Sequence, residues 1–346
     1  MALAAVILPM AMLASAQTLQ HRYSFASDAG DSVGGANGTL VGNAYIANNA
    51  LNLPGGGNSD FPSGYVVLPT GIATNDTSIT VEAWLTDNGG LTWAEAWCFG
   101  DSAAGPGEPP SWGTAYISLI PHSGEDDFRA AFNLTGGDEI DVVDPAGPLL
   151  LNAQQYAVVT YDASSATATL YLNGSVVGQA DIPTYLAPGN YGPTFNNWLG
   201  RDEFGTDPMF AGSLDELRIW NGAASPFYVA MSALAGPDIL LTNLNPVSVS
   251  VSVYNSAMGV SQIQQAAVTA NFLQVSNLPA TSLATNWTSS NPSVLTVNNT
   301  GLITTVGAGS ATVSATLAGT TAVSPPNFLM TFRSSIICFL RWSGGS

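Results

Sequence analysis

No lysine occurs in this chain, and its six arginines stand against 24 aspartates and glutamates. The formal net charge of −18 leaves no basic patch to meet nucleic acid or an anionic membrane, and both are excluded as partners. Histidine and cysteine are equally scarce, with two of each. Neither His21 nor His122 sits in a motif, and the G-x-S-x-G, H-E-x-x-H, P-loop and dinucleotide fingerprints are all missing. Cys98 and Cys338 fall in what read below as different domains, so no disulfide framework is expected. A fold without one relies on its own core, or on metal.

Glycine (36) and proline (21) are plentiful, together with Ser, Thr and Asn, as many tight turns between short strands require. The expected class is all-β, and 346 residues are enough for two domains with cores of their own. Residues 1–16 are apolar and end in Ala14-Ser15-Ala16, a small-residue cleavage pattern. They read as a secretory signal peptide, too short to span a bilayer as a mature helix. No Lys or Arg precedes the apolar run, and a start further upstream would supply one. The expected location is secreted or cell-surface, with no transmembrane span.

The chain is organised around residues 210–221, FAGSLDELRIWN. Asp215, Leu217 and Ile219 share one parity, and Glu216, Arg218 and Trp220 the other, as on a strand with Leu217 and Ile219 in a core. Asp215 then falls on the core-facing side, where a carboxylate needs a cation or several donors. The alternative is a solvated edge residue. Further strands are expected at 19–25, 50–53, 64–68, 78–85, 115–120, 128–134, 139–143, 155–161, 167–172, 175–179 and 196–200, with a tight hairpin at Asn173-Gly174. Residues 88–110 read as one long Gly- and Trp-rich connection, of the kind that carries function or motion.

The F-x-G-x-L-D-E-L-R-I-W-N stretch, the internal T-V-E-A-W and the later L-Y-L-N-G-S-V-V are similar to bacterial LamG-like domains. The resemblance covers roughly residues 19–235 and implies a concanavalin A-like jelly-roll β-sandwich whose closing strand lies against its opening one. The Asp/Gly/Asn loop at 28–38 matches the segment that follows the first strand in that family. An oxygen-rich loop of this kind suits calcium, although a solvated turn cluster has the same composition. If opening and closing strands meet, Asp31 nears Asp215, and a structural calcium ion joining the two is the expected metal site. Arg22 or Arg201 neutralising Asp215 is the competing arrangement.

Two further readings concern ligands. Trp93, Trp97 and Trp112 lie in or beside the long connection, where they either stack on sugar faces or cap the sandwich edges. Glu139-Ile-Asp141-Val-Val-Asp144 resembles the E-x-D-x-x-E signature of laminarinase-type glycoside hydrolases, which implies Glu139 and Asp144 as the reacting carboxyls with Asp141 between. The last position is one methylene short, and Pro145 follows it directly.

After a linker at 237–246 the character shifts to faultless alternation in VSVSVSV (247–253) and SATVSATL (310–317). The run from Trp287 through Asn291-Pro292, Asn298 and Thr300-Gly301 to Thr316 is similar to bacterial Ig-like domains of group 2, a spacer and adhesion family without catalytic residues. Domain bounds of 17–236 and 247–326 follow. Residues 327–346 break the pattern, which fits a frameshifted or truncated end better than a sorting tail. The expected protein is an exported, non-catalytic binding or adhesion protein. It carries a LamG-like module on an Ig-like spacer, with a glycan or another cell-surface or extracellular partner. The rival expectation is a glycoside hydrolase.

Overall fold

A computed structural model describes residues 17–73, 76–103, 105, 112–134, 139–241 and 243–325. The expected signal peptide, the tail and Cys338 lie outside these residues. The chain divides into two units at Leu240 and Leu241.

The first unit opens with β1 (Thr18–Tyr23), β2 (Thr39–Gly42), β3 (Tyr45–Ala47), β4 (Ala50–Pro54), β5 (Gly64–Leu68), β6 (Ile79–Asp87), β7 (Trp97–Ser102) and β8 (Gly113–Ile120). It continues with β9 (Phe128–Leu134), β10 (Ile140–Asp144), β11 (Gln154–Asp162), β12 (Thr167–Leu172), β13 (Ser175–Asp181), β14 (Asn196–Leu199), β15 (Ala211–Asn221) and helix α1 (Pro226–Ala235). Among the described residues these strands form two antiparallel sheets. One runs β13-β12-β11-β6-β15-β4-β3, with β1 added beside β15, and the other runs β10-β9-β8-β7-β14-β5-β2. Alternate side chains from both sheets fill the space between them: Val81, Ala83, Leu85, Leu217 and Ile219 from the first, and Trp97, Phe99, Ile117, Phe132 and Leu199 from the second. The expected jelly-roll sandwich is the observed one.

Two elements differ from the reading of the sequence. Residues 88–110 are not a single connection, because β7 runs through them in the middle of the second sheet, paired with β8 and β14. Its Trp97 and Phe99 stack at 4.9 Å inside the core. The parity of Asp215 is also corrected. A register shift between Leu214 and Glu216 makes Asp215 the extra residue of a bulge. Leu214 and Leu217 therefore both face the core, while Asp215 is half-exposed and accepts from Gln154 Nε2 at 2.6 Å. The bulge has a topological reason. Before it β15 pairs with β4, after it with β1, and both lie on the same side of the strand.

The outer face of the first sheet is buried as well. Ser225 caps α1 by accepting from the Tyr228 backbone N–H at 3.2 Å, and Pro226 takes the first helical position. The helix brings Tyr228 edge-on to Trp220 at 5.3 Å and Ser232 to Glu82 at 3.4 Å. At Asn173-Gly174 both residues have positive φ, 49° and 85°, as the tight β12–β13 turn demands.

The second unit contains β16 (Ser248–Val253), β17 (Ile263–Asn271), β18 (Leu278–Pro279), β19 (Thr285–Ser289), β20 (Leu295–Val297), β21 (Leu302–Thr305), β22 (Val313–Leu317) and β23 (Thr320–Val323). β16, β17, β21 and β20 form one sheet with β18 attached, and β19, β22 and β23 another, the smaller Ig-like sandwich expected. Val251, Val268, Ile303, Val313 and Ala315 are buried in this unit. Trp287 is buried too, its indole N–H donating to the Ala284 carbonyl at 3.2 Å. Among the described residues β23 is the last strand.

Candidate functional site

The outer face of the second sheet collects the side chains that alternation turns away from the core. One row crosses it as Val67, Trp198, Cys98, Ser118, Ala131 and Asp141, and the next as Asn196, Gly100, Tyr116 and Asn133. Two stretches fold over this face: residues 93–95 before β7, and residues 201–207 between β14 and β15. Together they place Trp93, Glu95, Arg201, Asp202, Glu203 and Phe204 against the sheet.

Three of these residues are carboxylates buried to 4% exposure or less: Glu95, Asp202 and Glu203. Glu95 accepts from Ser118 Oγ at 3.0 Å, Glu203 from Asn196 Nδ2 at 3.0 Å, and Asp202 from the Phe204 backbone N–H at 2.9 Å. Each keeps one oxygen without a protein partner: Glu95 Oε2, Asp202 Oδ2 and Glu203 Oε1. Burial pushes Asp202 and Glu203 up to about 8 and Glu95 well above the usual carboxylate range, with the Asp202 charge adding to Glu95. Arg201 lowers Asp202 and Glu203 by less than burial raises them. Its own guanidinium donates to the Ser59 carbonyl and the Tyr65 hydroxyl and lies 4.3 Å from the Trp198 ring centre. Burial thus favours the protonated form of these carboxyls.

An aromatic surface sits above the cluster. Trp112 is 62% exposed and meets Phe204 edge-on at 5.6 Å, and Tyr116 meets the other side of Phe204 at the same distance. Gly113 makes this packing possible, since a Cβ there would lie 2.5 Å from the Tyr116 ring and 3.1 Å from Phe204. The Tyr116 hydroxyl donates to the exposed Glu139 carboxylate. Burial, and then the Glu139 charge, push the Tyr116 phenol far up, so it stays a donor. Asp101, half-exposed, accepts from the Phe195 backbone N–H at 2.7 Å. An exposed indole and the exposed Glu139 carboxylate offer a ring to stack on and an acceptor for hydroxyls, the kind of groups sugar recognition uses.

The other sequence-derived residues are placed elsewhere. Trp97 is a core residue with 0% exposure and offers no face to a ligand. Trp93 is half-buried; the Arg129 guanidinium lies 5.6 Å from its ring centre, and the Gly124 backbone packs on the indole. Glu139 and Asp144 do not converge. β10 pairs with β9 without a register shift, so residues five apart point to opposite faces. Asp144 is buried on the Val142 side and caps the Ala146 N–H at 2.9 Å. Asp141 binds Arg129 at 2.6 Å, and burial raises it to about 6.

The expected calcium site between Asp31 and Asp215 does not fit either. Asp31 Oδ1 accepts the backbone N–H groups of Arg22, Val33 and Gly34, and Oδ2 accepts that of Ala36 while facing His21 Nδ1 at 2.7 Å. Burial alone would raise this carboxyl, but those donors hold it down to about 2. Both oxygens are saturated by N–H dipoles that face a cation with the wrong sign. Asp215 instead bulges toward Gln154. Among the described residues no three His, Cys, Asp or Glu side chains are placed to hold a metal ion.

Reading the sequence did not identify Glu95, Asp202 and Glu203 as a group. They stand on two loops about a hundred residues apart, and only the pairing of β7 with β14 brings them together.

Residues 58–230 match the concanavalin A-like lectin/glucanases superfamily. The chain belongs to that superfamily. Residues 247–324 match the bacterial Ig-like domain of group 2. Solved structures similar to this superfamily member include Domain 4 of AbnA, an extracellular arabinanase of Geobacillus stearothermophilus in complex with arabinotriose. It is 22% identical, with 62% of this chain and 97% of that one covered and a TM-score of 0.46. The CBM40 of the Ruminococcus gnavus IT-sialidase is 11% identical, covering 56% and 97%, with a TM-score of 0.39. A SAP-like pentraxin from Limulus polyphemus is 15% identical, covering 54% and 82%, with a TM-score of 0.38. At such identities and scores these likenesses bear on neither ligand nor activity. No match was found among curated proteins. No helix among the described residues is long and apolar enough to cross a membrane.

Proposed function

We propose that the protein is an exported, non-catalytic carbohydrate-binding protein. Its first unit takes a glycan on the Trp112–Phe204 surface, and its Ig-like unit serves as the spacer. The single observation that carries the reading is Trp112, a tryptophan left 62% exposed although Phe204 and Tyr116 beneath it are packed and fixed in orientation. A rigid, exposed indole stacks a pyranose or furanose ring at little cost in conformational entropy. The exposed Glu139 carboxylate, held by the buried Tyr116 hydroxyl, is there to receive sugar hydroxyls. Superfamily membership supports a glycan as the class of ligand.

A glycan array probed with the full chain, and repeated with Trp112→Ala, tests the reading. Binding that falls at least tenfold in the variant is expected. Unchanged binding by Trp112→Ala would move the site elsewhere, and an array without any bound glycan would overturn the reading.

A further inference from the structure

The four described arginines are Arg22, Arg129, Arg201 and Arg218, and none presents a free guanidinium. Arg22 and Arg218 are bound to Glu216 and Glu82. Arg201 is buried against Trp198 and the Ser59 carbonyl. Arg129, on the same outer face as the proposed site, is gripped by Asp127 at 2.6 Å, Asp141 at 2.6 Å and Glu125. With lysine absent, nothing positive is left on this face to receive an anion. The exposed carboxylate linked to this surface is instead Glu139, which accepts from Tyr116 on the far side of Phe204 from Trp112. Glu95, Asp202 and Glu203 lie beneath this surface, more than nine-tenths buried and closed off from a ligand, and they supply no positive charge either.

From this arrangement, and resting on the proposed glycan-binding role, we infer that the ligand is a glycan without acidic groups, and that sugars bearing carboxylate, sulfate or phosphate are excluded by charge. The exposed Glu139 carboxylate is an acceptor, and sugar hydroxyls are donors that match it. An acidic sugar would bring a further negative charge toward Glu139 on a chain of net charge −18, with no free guanidinium to form the bidentate pair by which carboxylates and sulfates are recognised. Discrimination then arises from repulsion as well as from fit.

Matched oligosaccharides separate the two classes. Galacturono-oligosaccharides present the same ring as galacto-oligosaccharides with an added carboxylate, and sialyllactose extends lactose in the same sense. Calorimetric titration of the full chain, alongside a glycan array with neutral and acidic members, is expected to show binding confined to neutral glycans, with acidic counterparts at least tenfold weaker. Glu139→Gln removes the exposed carboxylate linked to this surface and is expected to bring acidic oligosaccharides into the measurable range. Equal or tighter binding of an acidic member by the unmutated protein would overturn the inference while leaving the glycan-binding role intact. Absence of binding to either class would remove both.

Discussion

The two outer faces of the jelly roll both bury carboxylates, and they treat them in opposite ways. Under α1, Glu216 accepts Arg22 Nε at 2.7 Å, Arg218 Nε and the Asp238 backbone N–H at 2.5 Å. Glu82 meets Arg218 Nη1 at 3.3 Å, and the guanidinium lies 4.5 Å from the Trp84 ring centre. Two carboxylates there face two guanidinia. On the opposite sheet Glu95, Asp202 and Glu203 are as deeply buried, with no ion pair among them. Glu216 is held below its ordinary value because its arginines outweigh its burial, whereas burial prevails at Glu82 despite Arg218 and at the unpaired Asp202 and Glu203. Matched charge fastens the helix and the closing strand. Unmatched acid is a poor fastener, and it sits where the aromatic surface is open to solvent.

The comparison is broken most directly at Arg218. Arg218→Ala leaves Glu82 and Glu216 buried with half their positive charge gone, a loss of about 3–5 kcal/mol in denaturant unfolding of the full chain. A loss below about 1 kcal/mol would mean that the network under α1 is no tighter than a surface ion pair.

Asp31 sharpens the comparison as a third case, a buried carboxylate matched by N–H groups rather than by arginine. Asp31→Ala strands the N–H groups of Arg22, Val33, Gly34 and Ala36. A cost of about 2–3 kcal/mol is expected, equal in EDTA and in millimolar calcium. A calcium-dependent difference in melting temperature would restore a metal at this loop.

The unmatched face has the opposite pH sign. Asp202 and Glu203 titrate near 8 when folded and close to 4 when unfolded. Their contribution is fully present below the unfolded value and is lost as pH rises toward 8. Stability of the first unit should therefore decline from pH 5 to pH 8. Glu203→Gln should flatten the slope and gain on the order of 1–2 kcal/mol at pH 8 while changing little at pH 5. Glu216→Gln, on the matched face, should destabilise at both. The same sign for both variants would erase the distinction between the faces. The smallest effect belongs to Trp112→Ala, whose unfolding free energy should move by no more than about 0.5 kcal/mol although glycan binding falls.

Much of this architecture was legible in alternation and turn chemistry. Gly64–Leu68, Phe128–Leu134 and Thr167–Leu172 have the bounds that their patterns predict, and Asn173-Gly174 turns where it should. Periodicity misled where the backbone breaks its own period. The bulge at Asp215 reverses the parity of everything before it, a feature that depends on two partner strands no local pattern reveals. β7 was hidden for a different reason: its Trp97, Phe99 and Gly100 lie in a stretch dense with loop residues. Of the site, Trp112 was readable as an aromatic in a connecting stretch. The carboxylates below it are gathered by sheet order, to which spacing along the chain is blind.

β1 and β15 meet across almost the whole first unit, and the Arg22–Glu216 pair alone spans 194 residues of sequence. During synthesis β1 has no neighbour to pair with until β15 has emerged as well. Loop closure on that scale costs entropy before any contact returns it, and it places this domain among slow folders of high contact order. The order of synthesis and the order of assembly are thus reversed at the two ends. β1 is made well before β15 yet is among the last strands to be seated, so the sandwich stays unlocked until nearly the whole unit has been made.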